Sequence, residues 1–128
     1  MPKTILVVDD SASMRQMISV TLGSAGYEVA EVADGAEALD YARKHAVDLV
    51  LADVNMPNMD GITLVAHLRT LTSYRLTPLL LLTTESSPER KQQGKQAGAT
   101  GWVLKPFHPT QLLTILDRVL SNRATVPA

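Results

Sequence analysis

Short apolar runs alternate along this chain with longer amphipathic stretches, and the hydrophobic period changes at each junction. Ile5-Leu6-Val7-Val8 is a compact β-branched and leucine run, as expected of a strand covered on both faces, and it stops at Asp9-Asp10. From Ser11 the positions Met14, Met17, Ile18, Thr21, Leu22 and Ala25 follow helical spacing, with Arg15, Gln16 and Ser19 on the outer side and Gly26 as the stop. Residues 27–32 alternate more weakly and suit a strand near a sheet edge. Asp34 is placed to cap a second helix whose stripe is Ala36, Leu39, Ala42 and Ala46. Leu49-Val50-Leu51-Ala52 reads as a buried third strand that ends on Asp53, and turn chemistry follows in Asn55, Pro57 and Asp60-Gly61. A third helix runs to about Thr70 on Leu64, Val65, Leu68 and Leu71, with residues 72–77 as connector.

Leu79-Leu80-Leu81-Leu82 is the fourth strand, and a polar loop leads to Pro88, which suits the first turn of a fourth helix. That helix carries no large apolar side chain from Glu89 to Gln96, so it is either marginal or covered by a partner. Its Gly94 costs about 1 kcal/mol relative to alanine. Gly98 stops it. Trp102-Val103-Leu104 forms a short fifth strand ending at Lys105-Pro106-Phe107, and Pro109 opens a last helix. There Leu112, Ile115, Leu116 and Val119 face inward, while Leu113 and Leu120 fall off the stripe and are expected to be partly exposed.

Five strand–helix pairs in strict alternation, with no repeat and no low-complexity linker, predict an α/β fold. Right-handed crossovers then require a doubly wound five-stranded parallel sheet with helices on both faces. Strand order 2-1-3-4-5, flavodoxin-like, is the natural solution. The domain is expected over residues 1–121, with 122–128 as a frayed tail.

Composition narrows the function classes. The chain has 128 residues, which fits one domain, and Lys plus Arg (12) nearly balances Asp plus Glu (13), so there is no basic footprint for nucleic acid. Cysteine is absent, which removes disulfides, thiolate catalysis and Cys-ligated metals. Without a signal-peptide pattern or an apolar run approaching the roughly 20 residues of a membrane span, a soluble cytoplasmic protein is expected.

The polar landmarks gather at one edge. Asp9 and Asp10 follow strand one, Asp53 strand three, Thr83 strand four and Lys105 strand five. All lie at the carboxyl ends of strands, where open α/β sheets bind ligands. Singly each has a bland explanation: a helix cap, a turn-initiating aspartate, a β-forming threonine, a surface lysine. Together they describe a pocket in which crowded carboxylates repel, each close pair by roughly 1 kcal/mol in water and about 4 at an effective dielectric of 20. A hard divalent cation relieves this, and Mg2+ is typically held by one or two carboxylates plus a phosphate. Asp10, Asp53 and the Asn55 backbone carbonyl are the expected direct ligands, with Asp9 acting through water. Asp53 is then the nucleophile toward phosphorus, Lys105 neutralises equatorial oxygens, and the Thr83 hydroxyl donates to one of them.

Val8-Asp9-Asp10-Ser11, Asp53-Val54-Asn55-Met56-Pro57 through Asp60-Gly61, Thr83, Ala97-Gly98-Ala99 and Lys105-Pro106-Phe107 as a set resemble the CheY-like receiver domains of two-component response regulators, over nearly the whole chain. The strand order given above is the chemotaxis receiver's own and so is not an independent prediction. The resemblance implies Asp53 as phosphoacceptor, Asp9 and Asp10 as the acidic pair for magnesium, and Thr83 with Lys105 as the phosphate-sensing pair. It also implies a cis Lys105-Pro106 bond, Asn55 and Glu85 as positions that tune dephosphorylation, and Trp102 as the aromatic switch residue. The output face would be the fourth helix, fifth strand and fifth helix.

By the same resemblance the chain is not an enzyme beyond its own Mg-dependent phosphorylation and dephosphorylation. It is expected to be a monomer whose partners are a CheA-like sensor histidine kinase, a target such as the flagellar motor switch, and a phosphatase. A phosphorelay intermediate, a phosphate sink or a receiver portion of a longer regulator stands beside the chemotaxis reading. Trp102 in place of the commoner Tyr or Phe, Thr84 in place of a small residue, and the apolar-poor fourth helix depart from the pattern. A haloacid-dehalogenase-type phosphatase would need its nucleophile after strand one in Asp-x-Asp, whereas residue 55 is Asn. A flavodoxin-like module would meet repulsion between its phosphate and Asp9-Asp10.

Overall fold

The computed structural model describes residues 2–84 and 87–125, with side chains as far as 121. Strands β1 (Thr4–Val8), β2 (Glu28–Val32), β3 (Leu49–Asp53), β4 (Leu79–Thr83) and β5 (Gly101–Leu104) form one parallel sheet in the order β2-β1-β3-β4-β5. Helices α1 (Ala12–Ser24), α2 (Gly35–Lys44), α3 (Gly61–Arg69), α4 (Pro88–Ala97) and α5 (Pro109–Thr125) make the crossovers. The predicted class and strand order both hold.

The period of two in each strand sorts its residues into separate cores. Ile5, Val7, Leu49, Leu51, Leu80 and Leu82 pack with Ile18 and Leu22 of α1 and Leu112, Leu116 and Leu120 of α5. Their neighbours Leu6, Val8, Val50, Ala52, Leu79 and Leu81 pack on the other face with α2 and α3. Both sides of β1, β3 and β4 are therefore sealed, and their polar groups can emerge only at the strand ends.

Side-chain caps set where the helices start. Ser11, Asp34, Asp60 and Ser87 accept from the amides of Met14, Glu37, Thr63 and Arg90 respectively. Each satisfies one of the orphan donors of a first helical turn. Gly61 follows its cap with no room for a side chain, because a Cβ there would run into the Asp53 carbonyl. Asp60-Gly61 is thus a close approach of α3 to the end of β3 as well as a turn.

Several stripe assignments change. In α1, Met17 is 44% exposed, whereas Arg15, expected outside, is half-buried. In α2 the buried positions are Gly35, Ala38, Leu39 and Ala42; Ala36 is exposed, and Ala46 lies beyond the helix, which ends at Lys44. The connector contains a 3-10 turn, Thr72–Tyr74, whose Tyr74 is buried and donates its hydroxyl to the carbonyls of Ala42 and His45. Leu120 is buried while Ile115 and Val119 are only partly so, because α5 crosses the sheet on the Leu112, Leu116, Leu120 spacing of four. α5 also continues past residue 122, where the tail was expected, to Thr125. No glycine or proline interrupts residues 121–126, and Pro127 is the first breaker. Among the described residues, no helix is long and apolar enough to cross a membrane.

Candidate acidic phosphoryl site

Register alone places the acidic residues side by side. Val8 of β1 pairs with Ala52 of β3, so the next residue on each strand is Asp9 and Asp53, and Asp53 in turn pairs with Leu82 of β4. Thr83, one step on, is fully buried and sits opposite Leu104 of β5; its carbonyl accepts the Lys105 amide at 2.8 Å. The Lys105-Pro106 bond is cis.

Asp9, Asp10 and Asp53 each present a carboxylate oxygen within 4.8 Å of the others. The Lys105 ammonium lies 3.2 Å from Asp53 Oδ1 and 3.6 Å from Asp9 Oδ2. Three carboxylates facing this one ammonium leave an excess of negative charge. Asp9 is 1% exposed; its Oδ1 accepts from the Ser11 amide at 2.9 Å, but its buried Oδ2 has no hydrogen-bond partner. An orphaned carboxylate oxygen in an oxygen-only cluster fits a hard divalent cation, because such a cation supplies the missing partner and the missing charge together.

Burial raises the Asp53 carboxyl above its ordinary pKa; the Lys105 ammonium opposes that shift, the Asp9 charge adds to it, and the Asn55 amide also opposes it by hydrogen bonding. The group is thus held in a cleft that disfavours its bare anion. Asn55 and Asp10 are both exposed, whereas Asp9 and Asp53 are buried.

The remaining expected positions fall elsewhere. Trp102 is half-buried, pairs with Leu81 across β4–β5, and lies against α4 beside Gly94. It borders a groove of about 590 Å³ on the α4–β5–α5 face, with Lys91, Lys95, Leu104, Gln111 and Ile115, away from the acidic cluster. Glu85 lies outside the described residues.

Sequence reasoning missed one residue at the cleft. Arg15 donates from Nη1 to the backbone carbonyl of Asp9 at 2.6 Å and pairs through Nε with Glu31 of β2 at 3.6 Å. Helical spacing put it on the outer face. A usable signal was present: a cation so near a helix N-terminus opposes the helix dipole and needs a reason to be there.

The chain is similar to known proteins in sequence and in fold. The chain is 54% identical to the Vibrio cholerae chemotaxis protein CheY4, with a TM-score of 0.90, covering 93% of this chain and 99% of that one. It is 30% identical to the receiver domain of the sensor histidine kinase PA1611 from Pseudomonas aeruginosa PAO1, whose structure has magnesium coordinated in the active-site cleft; the TM-score is 0.87, covering 94% and 99%. It is also 33% identical over 128 residues to the transcriptional regulatory protein PdtaR of Mycobacterium tuberculosis, covering 99% of this chain but only 61% of that relative's length. The response regulator receiver domain pattern matches residues 5–117, and the chain belongs to that family.

Proposed function

We propose that this receiver domain takes a phosphoryl group onto Asp53 from a histidine kinase in a Mg2+-dependent reaction, and passes the signal on through its α4–β5–α5 face. The observation that carries the reading is the cluster of Asp9, Asp10 and Asp53 around a single Lys105 ammonium, with one buried oxygen orphaned. An Asp53 carboxylate oxygen attacks phosphorus in line; the new P–O bond forms as the P–N bond to the donor imidazole breaks, and that imidazole leaves with a proton. Asp10, Asp53 and the Asn55 carbonyl would hold Mg2+, with Asp9 reaching it through water; when bound, the ion neutralises equatorial oxygens of the transferring group. Lys105 supplies a second positive charge at the cluster, and the Thr83 hydroxyl would donate to a phosphoryl oxygen once it is present. No general base is required, because the nucleophile is already a carboxylate. Water attack on phosphorus later restores Asp53, with Asn55 and Glu85 setting access; no other substrate is turned over.

Chemotaxis is the pathway we favour, because the chain matches CheY4 across 99% of that protein. The kinase is then CheA-like, the target a component such as the motor switch, and the location the cytoplasm. A receiver portion of a longer regulator has its own support, since the chain spans 61% of PdtaR.

Incubation with a small acyl phosphate donor should label the wild type only with Mg2+ present and should leave Asp53→Asn unlabelled. Label retained in that variant would remove Asp53 from the chemistry. The same variant reads the electrostatics. Because the Asp53 pKa is raised on folding, the native state holds that proton more tightly than the unfolded chain. Stability is therefore lost as pH rises from the ordinary carboxylate range through the folded value. Without divalent cation, Asp53→Asn should be more stable than wild type at neutral pH. The gap should close below about pH 4, where unfolded carboxyls protonate. Denaturant titrations across pH measure both.

A further inference from the structure

We infer that Arg15 is a positioning residue for Asp10, acting through the backbone of the β1–α1 loop. The inference rests on the metal reading above and extends it to a residue outside the ligand set. Asp9 and Asp10 share a planar peptide unit, so the direction of the Asp9 carbonyl fixes the plane from which Asp10 departs. Arg15 grips that carbonyl at 2.6 Å. The Asp9 amide is held only by a longer bond, 3.3 Å to the Val32 carbonyl, and the Asp9 side chain closes on the Ser11 amide at 2.9 Å. Of these restraints, the Arg15 bond is the one that bears directly on the Asp9–Asp10 peptide plane.

The guanidinium is itself restrained. Glu31 of β2 pairs with its Nε at 3.6 Å, and the Arg15 side chain is 20% exposed. The short bond to the Asp9 carbonyl, with the longer ion pair to the 42% exposed Glu31 beside it, orients the planar guanidinium. Glu31 also offsets the arginine's charge, so that Arg15 is not drawn into the carboxylate cluster to compete with a cation. Asp10, being exposed, has little packing of its own to aim it. Carbonyl, guanidinium and Glu31 thus form a chain from the edge strand to the metal-facing loop, in the manner of outer residues that orient metal ligands.

The sign of the effect separates this role from its rivals. A cation acting through space would repel Mg2+, so its removal would tighten binding. An arginine that merely anchors α1 would leave Mg2+ affinity unchanged in folded protein. Positioning predicts weaker binding. Isothermal titration with Mg2+ should give a dissociation constant raised about tenfold in Arg15→Met, the lower end of what outer-residue changes cost. Arg15→Lys keeps the charge but not the fork, and should fall between the two; it carries the test alone if Arg15→Met does not fold. In both variants the Mg2+ dependence of Asp53 labelling should move to higher concentration, while the rate at saturating Mg2+ is largely restored. Unchanged or tighter Mg2+ binding in the folded variants would overturn the inference alone. Failure of the wild type to bind Mg2+, with Asp10→Asn no different, would overturn the metal reading and this inference with it.

Discussion

Helices α4 and α5 flank the same edge strand, β5, and are attached to it in opposite ways. α5 lays Leu112, Leu116 and Leu120 on the sheet, all buried in the core with Ile5, Leu51, Leu80 and Val103. Each such leucine is worth roughly 1.5–3 kcal/mol of burial. α4 buries a single residue, Gly94, and it lies there because nothing larger fits: a Cβ would stand 2.9 Å from Trp102 Cζ3 and 3.1 Å from Leu81 Cδ1. Its ends are tied to α3 by polar straps. At the start, Arg90 pairs with Asp60 at 3.7 Å; at the finish, Arg69 Nε donates to the Gly98 carbonyl at 2.9 Å. One helix is held by area, the other by fit and charge. The second kind of attachment is cheap to rearrange, and it belongs to the helix that borders Trp102 and the groove beside it. A helix with no apolar stripe can still be well placed if its partner comes close enough to need none.

Three substitutions probe this contrast, in descending order of effect. Leu116→Ala should destabilise the fold by about 2–5 kcal/mol, because it removes buried area and leaves a cavity; denaturant unfolding measures it, and a loss under 1 kcal/mol would mean α5 is not anchored as described. Gly94→Val should cost about 1–3 kcal/mol through overpacking and, unlike Leu116→Ala, should shift the emission of Trp102, the sole tryptophan. An unaltered spectrum would show that α4 does not rest on that ring. Arg90→Met should cost only about 0.2–1 kcal/mol, as for other solvent-accessible ion pairs, and the difference from wild type should shrink in high salt. A larger, salt-independent loss would assign the start of α4 a packing role.

Much of this protein could be read from the chain before folding was considered. Strand starts and stops, the Asp34 cap, the Asp60-Gly61 turn and the placement of Asp9, Asp53, Thr83 and Lys105 at strand ends all follow from local pattern, since hydrophobic period and cap chemistry act over a few residues. Other features came only with the third dimension. Arg15 was assigned to solvent because helical spacing cannot know that the neighbouring loop offers a carbonyl. Gly94 looked like a weakness in α4, and becomes a requirement only when Trp102 and Leu81 arrive from strands β5 and β4. Leu120 moved inward because α5 meets the sheet along the Leu112, Leu116, Leu120 row, which helical spacing alone does not single out. What the sequence determined by itself was the order of the elements and the chemistry at their ends, because both are written in short-range pattern. What the tertiary structure decided was which carboxylate oxygen is left without a hydrogen bond, which arginine grips the loop beside it and which helix is held by fit and charge rather than area, because each depends on residues far apart in the chain meeting at a particular distance.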